Sequence, residues 1–118
     1  MSDPWPTELK LNAEKNKLSV SFDDHSSCEL PAEYLRVESP SAEVQGHSPD
    51  ERQTVPGKAS VKIAQLEPVG NYAVRIIFDD GHDTGLYSWT YLRELGEKKD
   101  VKWAAYLEEL AAKGMTRG

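Results

Sequence analysis

The sequence predicts an α+β domain in which an antiparallel β-sheet of about five or six strands carries two C-terminal α-helices. Short segments between Thr7 and Tyr87 alternate apolar and polar residues with the period of two that is typical of half-buried strands. Polar turns separate these segments, and after Ser88 the apolar residues recur at helical spacing. A length of 118 residues allows one domain, so residues 1–118 are interpreted as a single unit.

The first three predicted strands lie in the N-terminal part of the chain. Residues 7–11 and 18–22 alternate on either side of a polar turn, which predicts a β-hairpin. A second polar turn precedes residues 27–30, which predict a short third strand ending at Pro31. Because proline suits the first position of a helix, residues 31–36 predict one helical turn.

A long polar segment follows at residues 39–58. It contains prolines at positions 40, 49 and 56 and almost no large apolar side chain. It exceeds the roughly 12 to 15 residues above which loops in compact domains become functional or disordered. The segment therefore predicts a long loop, which is either a solvated connection or a loop that orders against a partner.

The second half of the predicted sheet is centred on residues 72–78, because that segment is apolar on most of both faces. Residues 61–66 predict the strand that precedes it. Residues 79–82, Asp-Asp-Gly-His, predict a tight turn. Residues 83–87 then predict a short returning strand.

Two helices are predicted at the C-terminal end. Ser88 caps the first, which ends at Gly96, and Asp100 caps the second, which ends at Gly114. The docking faces are predicted from the apolar spacing: Trp89, Leu92 and Leu95 in the first, and Trp103, Leu107, Leu110 and Ala111 in the second. The aromatic rings are interpreted first as core side chains, and Tyr87 and Tyr91 are expected to show an edge at the surface.

The charge of the chain argues against two classes of partner. Lys and Arg number 14 against 20 Asp and Glu, so the formal net charge of −6 opposes binding to nucleic acid or to an anionic membrane. No apolar run is long enough to span a bilayer, and residues 1–10 lack the apolar core of a signal peptide. The single cysteine, Cys28, excludes an internal disulfide and fits a reducing compartment. A cytoplasmic protein is expected.

Sequence signatures of catalysis are missing. The glycines are too scattered for a phosphate-binding loop, and Cys28 lacks the context of a reactive thiol. His25, His47 and His82 together with nearby aspartates supply the ligand types of a metal site, but not its usual spacing. His82 is therefore interpreted either as a turn histidine that hydrogen-bonds the backbone or as a ligand, and His47 either as a solvated loop residue or as a ligand.

Two runs in the second half of the chain resemble a known family. They are VGNYAVRI at residues 69–76 and FDDGHDTGLYSWTYLREL at residues 78–95, supported by residues 30–36 and the pair Gly46-His47. The family is a small bacterial one, related to the N-terminal domain of gamma-butyrobetaine and trimethyllysine hydroxylases. A similar module is appended to some iron–sulfur carrier ATPases. The free-standing members are a domain of unknown function.

The resemblance implies a zinc site whose ligands are mostly replaced in this chain. In the hydroxylases, three cysteines follow a Leu-Arg pair and a histidine lies in a Gly-His turn. Placing Leu35 and Arg36 on that pair puts Ser39, Ser41 and Val44 at the cysteine positions, and His82 matches the histidine. Because a neutral serine is a poor zinc ligand, the zinc site is expected to be absent. A different site for zinc or iron, using His82 and His47 with Asp80 or Asp83, is the alternative.

The function expected from these observations is a non-enzymatic binding or adaptor module for a protein partner, linked to iron–sulfur or metal handling. The alternative is a metal-binding domain that uses His82 and His47. The separate catalytic domain of the hydroxylases has no counterpart here, so no catalytic residue is carried over. The chain is expected to be a monomer or a weak homo-oligomer. The partner-binding surface is predicted at the loop of residues 39–58 and at Asp80, Asp83, Tyr87, Trp89 and Arg93.

Overall fold

The computed structural model describes residues 5–46 and 52–118 of the chain. Its elements in chain order are β1 (Pro6–Leu11), β2 (Lys17–Phe22), β3 (Ser27–Pro31), α1 (Ala32–Val37), α2 (Ala42–Gln45), β4 (Ile63–Val69), β5 (Ala73–Phe78), β6 (Gly85–Ser88), α3 (Trp89–Glu97) and α4 (Lys99–Ala112). The predicted α+β class and the two C-terminal helices are confirmed. No helix in the described ranges is both long enough and apolar enough to cross a membrane.

The strands form two separate antiparallel sheets, in the orders β1-β2-β3 and β4-β5-β6. The prediction of one sheet with about five or six strands is therefore wrong. Alternation shows that one face of each strand is buried. It does not show which strands are hydrogen-bonded side by side in one sheet and which lie in a second sheet packed against that face. Both sheets contribute to one core: Leu18, Val20, Phe22 and Leu30 come from the first, and Ile63, Val74, Ile76 and Phe78 from the second.

The caps of the two C-terminal helices follow their sequence signals in part. The Ser88 hydroxyl accepts a hydrogen bond from the Tyr91 backbone N–H at 3.1 Å, so the predicted cap of α3 is confirmed. Gly114, with φ +67°, follows the end of α4 and donates to the Ala111 carbonyl. Asp100 lies in the first turn of α4 instead of capping it, where its charge favours the helix dipole.

Gly96 lies inside α3 and does not end it, because the helix continues to Glu97. The glycine is needed for a close approach: a Cβ at position 96 would lie 2.7 Å from Cys28 Sγ, on strand β3.

We therefore expect Gly96→Ala to lower the free energy of unfolding by about 1 to 2 kcal/mol, because overpacking outweighs the better helix propensity of alanine. Urea unfolding measures the change. Gly96→Ala in a Cys28→Ala background is expected to recover most of the loss, and equal losses in both backgrounds would contradict the assignment.

Helix α4 docks through a face that agrees with the predicted one only in part: Trp103 packs against the core and Leu110 is buried, as predicted. Tyr106 and Leu110 are buried, whereas Leu107 is 39% exposed and Ala111 is exposed. The Tyr106 hydroxyl donates a hydrogen bond to the Val55 carbonyl at 2.6 Å. Tyr106 packs with Val37 of α1 and Val55 of the loop, neighbours that the helical spacing of α4 does not reveal.

The described parts of the long loop pack against the same chain. Val44 on α2 is buried, and Val55 packs on the small cluster around Tyr106. Arg52 donates to Glu38 on one side and to Glu109 of α4 on the other, each at 2.8 Å. In its described ranges, the loop therefore contacts α4 and the end of α1 of the same chain.

Candidate functional site

The turn between β5 and β6 brings His82 against the residues that follow α1. His82 Nε2 lies 2.8 Å from the Ser39 hydroxyl, and the Ser41 hydroxyl lies 2.7 Å from that of Thr84. The Ser41 backbone N–H also donates to Ser39 Oγ at 3.3 Å. We call Ser39, Ser41, His82 and Thr84 the Ser39–His82 cluster.

This cluster has the atoms of a nucleophilic pair but not the access. A serine hydroxyl against an imidazole is the arrangement that activates a nucleophile. Ser39 is 0% exposed and His82 is 6% exposed, so a substrate carbonyl has no path to Ser39 Oγ. The packing is tight because Gly85 lies beside it, where a Cβ would be 2.6 Å from Ser39 Oγ. The cluster therefore has the character of a buried structural contact.

The same cluster includes positions that the sequence resemblance aligned with zinc ligands of the hydroxylases. Ser39, Ser41 and His82 meet through hydrogen bonds, and Val44 is buried one helical turn beyond Ser41, whose carbonyl accepts its N–H at 3.0 Å. Hydrogen bonds among hydroxyl, amide and imidazole groups thus join three of these four positions.

Metal binding through His82 and His47 stays a prediction. His47 lies outside the described residues. Within residues 5–46 and 52–118, no group of three or more His, Cys, Asp or Glu side chains is arranged to hold a metal ion. His82 also makes the backbone contacts of a turn histidine: its N–H donates to Asp80 Oδ1, and its carbonyl accepts from the Phe78 N–H, both at 3.0 Å.

Asp80 is engaged by cations of the same chain. Its Oδ2 accepts from Arg36 Nε at 2.8 Å and lies 2.6 Å from Lys58 Nζ. Burial raises the pKa of Asp80, but the hydrogen bonds from Lys58, the His82 backbone N–H and Arg36 lower it, to about 2. Asp80 therefore joins the β5–β6 turn to α1 and to the end of the long loop, although it was predicted to contact a partner.

Two of the other predicted partner-binding residues differ sharply in exposure. Asp83 is exposed at the turn. Tyr87 is 0% exposed, and its hydroxyl donates to the Leu35 carbonyl, so the prediction that its edge shows at the surface is wrong. The reason is its register: Tyr87 pairs with Val74 on the inward face of the second sheet. Tyr87 therefore lies beneath the surface that a partner would contact.

The remaining predicted residues on α3 point to different neighbours. Trp89 is half-buried, and its Nε1–H donates to the Asn71 carbonyl at 2.8 Å. Arg93 pairs with Asp24 at 3.0 Å and lies over the Phe22 ring at 5.1 Å from its centroid. The structure therefore does not bring the five predicted residues together on one face.

A groove does open where the long loop, α3 and α4 meet. Its volume is about 490 Å³. We call it the α3–α4 groove; it is lined by Glu38, Pro40, Gln45, Arg52, Tyr91, Glu94, Lys102 and Ala105. The predicted loop and the predicted helix both contribute, but α4 was not expected to take part. Local sequence patterns carry no signal for a site assembled from three such distant segments.

Charges of both signs face this groove. Lys102 Nζ lies 3.5 Å from Glu94 Oε2, and Arg52 pairs with Glu38. Burial raises the pKa of the Glu38 carboxyl above its ordinary value, although Arg52 and Lys102 lower it. The Tyr91 hydroxyl donates to the Glu38 carbonyl and so fixes the floor of the groove. The groove is suited to a ligand that also carries both charges.

Comparison with known proteins places these features in context. A family model described as "Gamma-butyrobetaine hydroxylase-like, N-terminal" matches residues 9–93. Two NMR solution structures are 45% and 46% identical with TM-scores of 0.83 and 0.84; each match covers 98% of this chain, and 91% and 86% of those chains. No curated protein matches the chain significantly.

A crystal structure from Acidithiobacillus ferrooxidans is also similar. It is of a protein of unknown function in the DUF971 family. The two chains are 38% identical with a TM-score of 0.67, over 80% of this chain and 98% of the other. The described fold is therefore shared with solved relatives at substantial sequence identity.

Proposed function

The chain belongs to the gamma-butyrobetaine hydroxylase-like N-terminal family, and from this membership we propose that it is a non-enzymatic binding or adaptor module for a protein partner. The observation that carries the proposal is the α3–α4 groove, the mixed-charge depression between the long loop and the two C-terminal helices. The proposed partner class, suggested by the resemblance to modules of iron–sulfur carriers, is an iron–sulfur assembly component.

The buried Ser39–His82 cluster supports a role without catalysis. Its hydroxyl and imidazole are packed under the β5–β6 turn, away from any substrate path. Cys28 is half-buried, and burial raises the pKa of its thiol, although the charges of Lys99 and Arg93 lower it. A thiol with a raised pKa is mostly protonated near neutral pH and is a weak nucleophile.

The groove has properties that suit a protein surface. Charged pairs across an interface set orientation and partner choice more than raw affinity, and the pairs in the groove offer both signs. Arg52 and Tyr91 belong to the residue types that often dominate binding energy at interfaces. The packing of Arg52 on Glu38 and Glu109 also holds the loop in place before a partner arrives, which lowers the entropy lost on binding.

A site-specific cross-linking experiment tests the proposal. A photoreactive amino acid at Ala105, inside the groove, is expected to give an adduct with a purified iron–sulfur carrier protein, identified by mass spectrometry. The same group at Leu86, exposed on the outer face of the second sheet, is expected to give none.

Charge reversal provides the second arm. Lys102→Glu is expected to reduce the Ala105 adduct at least about tenfold. The new carboxylate would repel a partner carboxylate that the lysine attracts, and like charges inside an interface are strongly unfavourable. Lys62→Glu, a reversal at an exposed position outside the groove, is the matched control and is expected to leave it unchanged. Equal adducts at Ala105 and Leu86, or equal effects of the two reversals, would reject the groove as the binding surface.

A further inference from the structure

A buried carboxylate on α1 is paired with an arginine from the end of the chain. The Glu33 side chain is 7% exposed, and Arg117 contacts both of its oxygens, with Nε 2.9 Å from Oε2 and Nη2 2.7 Å from Oε1. This two-point geometry matches the planar fork of a guanidinium better than the single point charge of a lysine. The buried carboxylate therefore requires a cation of this shape.

An aromatic wall completes the site. The Arg117 guanidinium carbon lies 5.3 Å from the centroid of the Trp103 ring, within the range of a cation–π contact. Trp103 is held in turn by Tyr34, edge to face at 6.3 Å, and by Tyr106, tilted at 5.3 Å. We call Glu33 and Trp103 with their neighbours the Glu33–Trp103 site. Because these side chains are carried by the helices α1 and α4, the site is held in its binding geometry before a ligand arrives.

The site continues into a slot beside the guanidinium. This cavity measures about 200 Å³, and its walls are Pro31, Glu33, Tyr34, Lys99, Trp103 and Arg117. Much of the wall consists of ring and methylene surface, which suits the aliphatic part of a long side chain or an adjoining residue. The slot leaves room for more than the side chain that now occupies the site.

The segment that carries Arg117 is held by few contacts. Residues 111–118 are exposed, and Arg117 itself is 51% exposed in its side chain. Among the described residues, three backbone hydrogen bonds attach residues 115–118: Met115 N–H donates to the Leu110 carbonyl at 2.8 Å, Gly57 N–H to the Thr116 carbonyl at 3.0 Å, and Ala59 N–H to the Arg117 carbonyl at 2.9 Å. Segments with few buried contacts and exposed hydrogen bonds open at low free-energy cost.

We propose that the Glu33–Trp103 site is an arginine-binding site, which Arg117 occupies within the chain and which an arginine of a partner's peptide segment occupies once residues 115–118 are released. The exchange replaces one guanidinium with another, so it keeps the paired carboxylate and the aromatic contact. The segment then acts as an intramolecular competitor that raises the ligand concentration needed for binding. This second binding surface does not depend on the α3–α4 groove.

Removal of the competing side chain tests the proposal. In the full chain, Arg117→Ala is expected to bind the peptide acetyl-Gly-Arg-Gly-amide at least about tenfold more tightly than the wild type, since a tethered competitor acts at millimolar effective concentration. NMR titration follows the Trp103 indole N–H. The lysine version of the peptide is expected to bind more weakly, because lysine cannot make the two-point contact. Arg75→Ala, which removes a partly buried arginine paired with Glu67 on the second sheet, is the matched control and is expected to behave like the wild type.

The double variant Glu33→Gln with Arg117→Ala is expected to lose saturable binding. Saturable binding of equal strength to this variant, or no saturable binding to Arg117→Ala, would overturn the proposal. A second measurement avoids a variant with an unpaired carboxylate: Glu33→Gln alone is expected to speed hydrogen exchange of the Ala59 amide at least about tenfold, because release of Arg117 frees the carbonyl that this amide contacts. Unchanged exchange would also count against the proposal.

Discussion

Replacing Ser39, Ser41 and Val44 together with cysteine is expected to convert the Ser39–His82 cluster into a tetrahedral zinc site. His82 Nε2 already faces Ser39, and the other two positions are buried within the same short stretch of chain. Three thiolates and one imidazole are a common structural ligand set for zinc. Apparent zinc-binding free energies of about 10 to 16 kcal/mol are typical of such sites near pH 7, so the triple variant is expected to bind one zinc ion per chain tightly and to unfold at higher temperature with zinc than without.

The absorption bands of bound cobalt provide the readout, because tetrahedral thiolate coordination gives a characteristic spectrum. The matched control is the triple cysteine variant that also carries His82→Ala. It is expected to bind the metal ion far more weakly. A folded triple variant that shows no tetrahedral cobalt spectrum would contradict the placement of the ligand positions. The wild-type chain tests the alternative metal site. If the wild type binds zinc saturably and the single variant His82→Ala does not, the result would favour the predicted site at His82 and His47.

Asp80→Ala is expected to lower the free energy of unfolding by about 3 kcal/mol, because it leaves mostly buried cations without their anion. Arg36 loses its ion pair at Nε, and its Nη1 is already buried without a hydrogen-bond partner among the described residues. Lys58 loses the same partner. Urea unfolding measures the change. Glu67→Ala breaks a more solvent-accessible ion pair, with Arg75, and is the control, with an expected loss of at most about 1 kcal/mol. Equal losses in the two variants would contradict the role of Asp80.

The same carboxylate is expected to make stability depend on pH in the acidic range. The pKa of Asp80 falls from an ordinary 3.8 to about 2 in the folded chain, so the unfolded state takes up the proton first. The contribution of Asp80 is therefore fully present above about pH 4 and is lost as the pH falls towards 2. Asp80→Asn, which keeps the shape and an acceptor for the His82 N–H, is expected to flatten the stability curve in this window. An unchanged curve would show that other groups dominate the acid response.

Several features could be predicted because their causes are local. The Ser88 cap depends on one hydroxyl and an amide three residues later, and the end of α4 depends on the freedom of Gly114 to adopt positive φ. Gly96 was predicted to end a helix in the same way as Gly114. In the structure, glycine is instead required there because the helix lies close to Cys28, which is distant in sequence. A glycine in a helix therefore marks either an end or a close approach, and the sequence does not separate the two.

The candidate site was predictable only in its outline. The long loop and α3 were both expected to take part, and they do line the α3–α4 groove together. Tyr87 was misplaced because its inward position depends on the register with Val74. Lys102 and Ala105 carried no signal because they face the groove only through the way α4 packs, by way of Tyr106, on Val37 and Val55.

The sequence by itself determined the class of the domain, the existence of its strands and C-terminal helices, and the family to which it belongs, because these depend on periodicity, capping residues and long local runs. Only the tertiary structure decided that the strands form two sheets, that Ser39 and His82 meet, and that Arg117 returns to Glu33. The physical reason is common to all three: an apolar or charged residue signals that it needs a partner, but packing over the whole chain determines which partner it meets.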